Sequence, residues 1–122
     1  MDSLPERRRF RRVNYSCKVK IRKENSDSLY ITDTENISVS GVCLKLPENI
    51  KVGTSVDLEI NLMDQKPPLK CKGKVIWGLY HPPNPIYSHG VYFNGIELSG
   101  VSPEDNARIN KIVELYSGGE NS

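Results

Sequence analysis

TSVDLEINL, residues 54–62, alternates without interruption: Val56, Leu58, Ile60 and Leu62 are apolar, while Ser55, Asp57, Glu59 and Asn61 are polar. A period of two belongs to a strand with one buried face, whereas a helix repeats every 3.6 residues. The pattern recurs on both sides. Upstream, Val13, Tyr15, Cys17, Val19 and Ile21 alternate with Asn14, Ser16, Lys18, Lys20 and Arg22. After a turn at Asn25–Ser28, Leu29 and Ile31 open a second strand that runs toward Ile37. GVCLKL, 41–46, places Val42, Leu44 and Leu46 on one side. Downstream, LKCKGKVIWGLY, 69–80, sets Leu69, Cys71, Gly73, Val75 and Trp77 in register, and YSHGVYF, 87–93, reads as the last strand. PENIKVG, DQKPP and HPPNP interrupt these runs with residues that turn or break a strand.

The period then changes. Ser102-Pro103-Glu104-Asp105 is a helix start, with Ser as cap, Pro at the first helical position and acids in the first turn. Ile109, Ile112, Val113 and Tyr116 make one apolar stripe, and Ser117-Gly118-Gly119 ends the helix. Six strands and one C-terminal helix predict an all-β fold, a small antiparallel barrel or sandwich, with the helix laid on it or across its mouth. Strands and helices do not alternate, which argues against a parallel α/β fold.

The 122 residues fit one domain, and 37% hydrophobic with 26% charged residues suits a globular chain. The net charge is only +2, which favours a local anionic ligand over sequence-independent nucleic-acid binding. The N-terminus lacks the apolar run of a signal peptide, and no stretch reaches the roughly 20 apolar residues of a membrane helix. The expectation is a cytoplasmic protein without a membrane span. Cys17, Cys43 and Cys71 form no CxxC pair and read as buried thiols, so neither metal nor cofactor is expected. No nucleophile elbow, P-loop or metal-ligand cluster is present, and a binding module is expected rather than an enzyme.

Two features carry chemistry. ERRRFRR, residues 6–12, spends five guanidinium groups on one short arm just before the first strand. NISVSG, residues 36–41, sets an amide, a hydroxyl and a glycine at i, i+2 and i+5. In extended backbone Asn36 and Ser38 point to one side, and Gly41 allows close backbone approach or a positive φ. Arginine complements such a loop, because its planar fork binds phosphate or guanine O6 and N7 and its face stacks on a base. The predicted organisation is a flexible basic arm over 1–12, a barrel with closing helix over 13–117 and a tail over 118–122.

RxxxR before a first strand, followed one hairpin later by [D/N]xSxxG, resembles the PilZ domain family. GKVIW, GVYF and SPEDNARINKIVELY resemble that family's last strands and closing helix, so the likeness spans roughly Glu6 to Tyr116. The resemblance implies a six-stranded antiparallel β-barrel that binds the bacterial second messenger cyclic di-GMP. It implies that Arg8 and Arg12 contact phosphate and guanine, and that Asn36, Ser38 and Gly41 hold a guanine edge and the adjoining backbone. Arg7 and Arg11 share the RxxxR spacing; Arg8 and Arg12 are assigned because Arg12 directly precedes Val13. Arg7, just before the motif, implies an intercalated ligand dimer. Asn36 stands where many members carry Asp, and a neutral amide forgoes the charge assistance of a carboxylate.

Other residues read more plainly. Register with Val75 places Trp77 in the core, with stacking on a guanine as the alternative. His81 and His89 read as loop and strand-surface residues, and Lys70, Lys72 and Lys74 as a solvated face. The function expected is a cyclic di-GMP receptor whose arm orders on binding and which signals in trans to a downstream protein. The alternatives are a PilZ-type adaptor that no longer binds ligand and a barrel for single-stranded nucleic acid, whose binding would fall steeply with salt.

Overall fold

The computed structural model describes residues 11–117. The expectations for the first ten residues, Arg7 and Arg8 among them, and for the tail after Ser117 lie outside the described residues.

Six strands form: β1 (Lys18–Lys23), β2 (Leu29–Ile37), β3 (Gly41–Leu46), β4 (Ser55–Asn61), β5 (Leu69–His81) and β6 (Val91–Ser99). One helix, α1 (Pro103–Ser117), follows. The strands close into an antiparallel barrel in the order β1-β2-β3-β6-β5-β4, so the barrel outcome holds over the sandwich. Alternation dictates the filling. Val56, Leu58 and Ile60 of β4 point inward with Val19 and Ile21 of β1, and Leu44, Val75 and Ile96 meet them from the other strands. Leu29 and Ile31 of β2 lie on the solvent side.

The helix forms as its first turn predicts. Ser102 Oγ accepts the Asp105 N–H at 3.1 Å, and the Ser102 carbonyl accepts the Asn106 N–H at 2.8 Å. Ile109, Ile112 and Val113 are buried against the barrel core. Tyr116 departs from the predicted stripe: it is exposed and lies edge-on to Tyr15 at 4.8 Å. Ser117 is buried one position on, its hydroxyl donating to the Val113 carbonyl at 2.5 Å. Arg108 pins the helix to the β4–β5 loop. Its Nε and Nη2 each donate to Asp64 at 2.9 Å, its Nη1 to Asp105 at 2.9 Å and its Nη2 also to the Pro67 carbonyl. Among the described residues no helix is long and apolar enough to cross a membrane.

Three further sequence expectations are corrected. The first strand begins at Lys18, not Val13: Thr34 Oγ1 donates to the Tyr15 carbonyl and accepts the Cys17 N–H, turning the chain aside. The last strand runs over Val91–Ser99 instead of starting at Tyr87. Asn84 Oδ1 caps the N–H groups of Ile86 and Tyr87 at 2.9 and 2.7 Å, and this local turn keeps Tyr87 and His89 in the loop. Trp77 is not in the core. One extra residue on β5 between Val75 and Trp77 shifts the register, and a one-residue shift sends a side chain to the opposite face.

Candidate ligand groove

Two bulges build the site. On β2 the register slips between Thr34 and Asn36; on β5 it slips between Val75 and Trp77. Thr34 and Val75 are buried inside the barrel. Without the slips, Asn36 and Trp77 would follow them inward. With the slips, both turn onto the outer face.

There they share one lateral row. Asn36 pairs with Cys43, Cys43 with Gly95, and Gly95 with Trp77, so the row crosses β2, β3, β6 and β5. Three strand spacings make it about 14 Å long. Its middle is low, because Gly95 has no side chain and Cys43 is small and buried. The indole lies directly over Gly95. A Cβ there would come within 2.1 Å of Trp77 Nε1 and 2.3 Å of Cε2.

Arg12 overhangs this row. Val13 exchanges two backbone hydrogen bonds with Ile37, at 3.1 and 3.0 Å, which fixes the root of the arm beside the NISVSG loop. Arg12 then lines a shallow groove of about 70 Å³ with Ser40, Gly41, Trp77, Gly95 and Glu97. Arg11 points elsewhere: its Nη1 donates to Ser117 Oγ at 3.2 Å, at the end of α1. Burial and the neighbouring Glu35 push the Cys43 thiol upward, and the charge of Arg12 pulls it the other way.

The loop residues divide their work. Ser38 is fully buried, and its Oγ accepts the N–H groups of Ser40 and Gly41, each at 3.2 Å. Its own N–H donates to the Gly41 carbonyl at 2.9 Å. The hydroxyl thus ties the turn and exposes Ser40 to the groove. Gly41 serves close approach and has no positive φ: a Cβ would sit 2.5 Å from the Ile96 carbonyl oxygen. Asn36 is half-buried at the far end of the row.

Arg12, Ser40, Gly41 and Trp77 are therefore brought together, with Asn36 on the same row. Ser40, Cys43, Gly95 and Glu97 were not assigned to the site from the sequence, where Cys43 read only as a buried thiol. Cross-strand pairing places them, and nothing local marks it. Cys17 and Cys71 do lie in the barrel core, as free buried thiols. Lys70, Lys72 and Lys74 are exposed on β5, where Lys72 meets Asp57 at 2.7 Å and Lys74 pairs across the ladder with Glu97 at the groove. Among the described residues no cluster could hold a metal ion.

The PilZ domain family model matches residues 6–115. The chain belongs to the PilZ domain family. Solved PilZ structures share its fold. The PilZ domain of YcgR from Escherichia coli, determined with c-di-GMP, is 16% identical with a TM-score of 0.71, covering 93% of this chain and 94% of that one. The Bacillus subtilis inhibitor of motility MotI/DgrA is 18% identical with a TM-score of 0.72 over 94% of this chain. This chain spans about half of that protein, 53% of its length. The PilZ domain of CeSA from a cellulose-synthesizing bacterium is 15% identical with a TM-score of 0.56, covering 89% of this chain and 97% of that one. Comparison with curated proteins finds no match.

Proposed function

We propose that this PilZ domain is a cyclic di-GMP receptor whose ligand lies along the Asn36–Trp77 row under the arginine arm. The observation that carries the reading is the paired bulges, which turn an amide and an indole onto one face beside Arg12. In this reading Arg12, with Arg8 and Arg7 from the arm, binds phosphates and guanine faces, since a guanidinium fork matches both. Asn36 and the backbone of the Ser38–Gly41 turn hold a guanine edge, and Trp77 offers a stacking face. Ser38 acts by shaping the turn. The similar YcgR domain was determined with c-di-GMP, which supports the ligand class. Binding draws the arm onto the barrel, and the surface so formed is read by a downstream protein in trans. The chain acts as a binding domain and not as an enzyme, and needs no metal or cofactor.

Calorimetric titration of cyclic di-GMP, with GTP as control, tests this for the wild type and for Arg8→Ala, Arg12→Ala, Asn36→Ala and Trp77→Ala. The expected result is micromolar or tighter binding by the wild type, with each substitution weakening it about tenfold, or 1.4 kcal/mol. The molar ratio reports whether Arg7 accompanies a ligand dimer. A wild type that gives no heat and no chemical-shift change with cyclic di-GMP removes the reading.

A further inference from the structure

β5 is longer than the strand that flanks it. Its pairing with β4 ends at Ser55↔Lys74 and is extended only to Val75, which bonds to Gly53 and Thr54 through backbone contacts of 2.8 and 3.0 Å. Beyond Val75 the strand continues through Ile76, Trp77, Gly78, Leu79, Tyr80 and His81, paired on one side with β6. Among the described residues no backbone group pairs with its other side. Six residues of strand leave an open edge about 20 Å long.

Such an edge is a template for another strand, and proteins ordinarily blunt it with charge, proline or a bulge. Here the bulge at Ile76 at one end and Pro82 at the other bound the edge, and between them the strand carries neither charge nor proline. From Val75 to Ile96 the chain carries no Asp, Glu, Lys or Arg. The surface along it is apolar: Ile76 is 45% exposed, Leu79 61%, Tyr80 50%, and Ile86 in the adjoining loop 80%. Scarcity of charge and abundance of aromatic side chains mark the centres of protein interfaces.

We propose that the overhanging edge of β5, Ile76–His81, pairs antiparallel with the same edge of a second copy of this chain. The absence of charge favours a second copy as occupant. In a two-fold strand pair each residue meets its own kind or a near neighbour, so any charge would meet a like charge, a destabilising arrangement. Antiparallel pairing of one edge with itself keeps inward and outward faces matched when it centres on a residue of the edge. Centring on Leu79 sets Gly78 of one copy opposite Tyr80 of the other, and Trp77 opposite His81. The pairing does not depend on a nucleotide.

Sedimentation equilibrium of the ligand-free full chain, from low micromolar to several hundred micromolar, tests the proposal. The wild-type weight-average mass is expected to rise from 13.8 kDa toward about twice that value. Leu79→Lys, at an exposed position that keeps the barrel core intact, is expected to hold the mass at the monomer value throughout. An equimolar mixture of Leu79→Lys and Leu79→Glu is expected to associate again, because unlike charges then meet across the axis. Concentration-dependent protection of the Ile76–His81 amides in hydrogen exchange is expected in the wild type and absent in Leu79→Lys. A wild type that stays monomeric across the range overturns the proposal and leaves the edge to a foreign strand. So does a dimer that Leu79→Lys does not weaken, since its interface then lies elsewhere.

Discussion

The Trp77 indole rests on Gly95, on the neighbouring strand, at a separation that leaves no room for a Cβ. Trp77 is the only tryptophan in the chain, so its intrinsic fluorescence reports this contact directly. Gly95→Ala would push the indole off its seat. The expected outcome is a red-shifted emission and about a tenfold loss of cyclic di-GMP affinity, with the far-ultraviolet spectrum unchanged. An unshifted emission maximum would show that the ring accommodates the methyl group.

Ser38 separates two ways in which a loop hydroxyl can matter. Here it is fully buried and holds the N–H groups of Ser40 and Gly41. Ser38→Ala leaves those donors without their partner, at a cost of about 1–3 kcal/mol in unfolding free energy. Urea denaturation without ligand measures it. A variant as stable as the wild type that still fails to bind would mean that the hydroxyl meets the ligand instead.

Acid should weaken the tie between the helix and the β4–β5 loop. The hydrogen bonds from Arg108 hold the Asp64 carboxyl below its ordinary value of 3.8, against a smaller upward push from burial. A depressed folded value stabilises the native state above the unfolded value, and that stability is lost as pH falls through the folded one. The wild type should therefore lose stability below about pH 4, through a window in which Asp64→Asn changes much less. Near pH 7 Asp64→Asn should be less stable by about 1.5–3 kcal/mol, the typical worth of hydrogen bonds to a charged partner. Thermal melts from pH 2 to 7 decide this, and parallel curves for the two proteins would remove Asp64 from the account.

The three thiols should be inert in the folded protein. Cys17, Cys43 and Cys71 are buried, and burial pushes each thiol upward, Cys71 to about 11. Thiolate is the reactive form, so a disulfide reagent at pH 8 should titrate almost no thiol in the native state and all three in denaturant. Rapid labelling of one cysteine would identify it by mass spectrometry, and Cys43 beside Arg12 would be the residue to examine first.

Much of the fold was legible because burial and period coincide. Val56, Leu58 and Ile60 declare their face within one strand, and Ser102 declares the helix start within one turn. Trp77 was misread for the same reason. Its alternation with Val75 is real in sequence, and only the extra residue in the ladder cancels it. Nothing local distinguishes Ile76 as that extra residue, because a bulge is a property of two strands. Tyr87 was misread because Asn84, three residues earlier, competes for its backbone. Motif spacing picked out Asn36, Ser38 and Gly41, but it left the division of roles open. Ser38 faces into its own turn, and Gly41 is needed by the Ile96 carbonyl across the ladder. Cys43, Gly95 and Glu97 enter the site through pairings with residues dozens of positions away.

The strand order has a consequence for assembly. Two three-stranded meanders, β1-β2-β3 and β4-β5-β6, meet along the β3–β6 and β1–β4 seams. The Asn36–Trp77 row straddles the first seam, with Asn36 and Cys43 on one meander and Gly95 and Trp77 on the other. Contacts between residues so far apart in the chain are slow to form, since a long loop must close before they are made. Neither meander carries the whole of the proposed site. If the ligand lies along this row as proposed, a nascent chain cannot bind it until β6 has been synthesised and docked, and a chain cut between β3 and β4 should regain binding only when its halves reassociate.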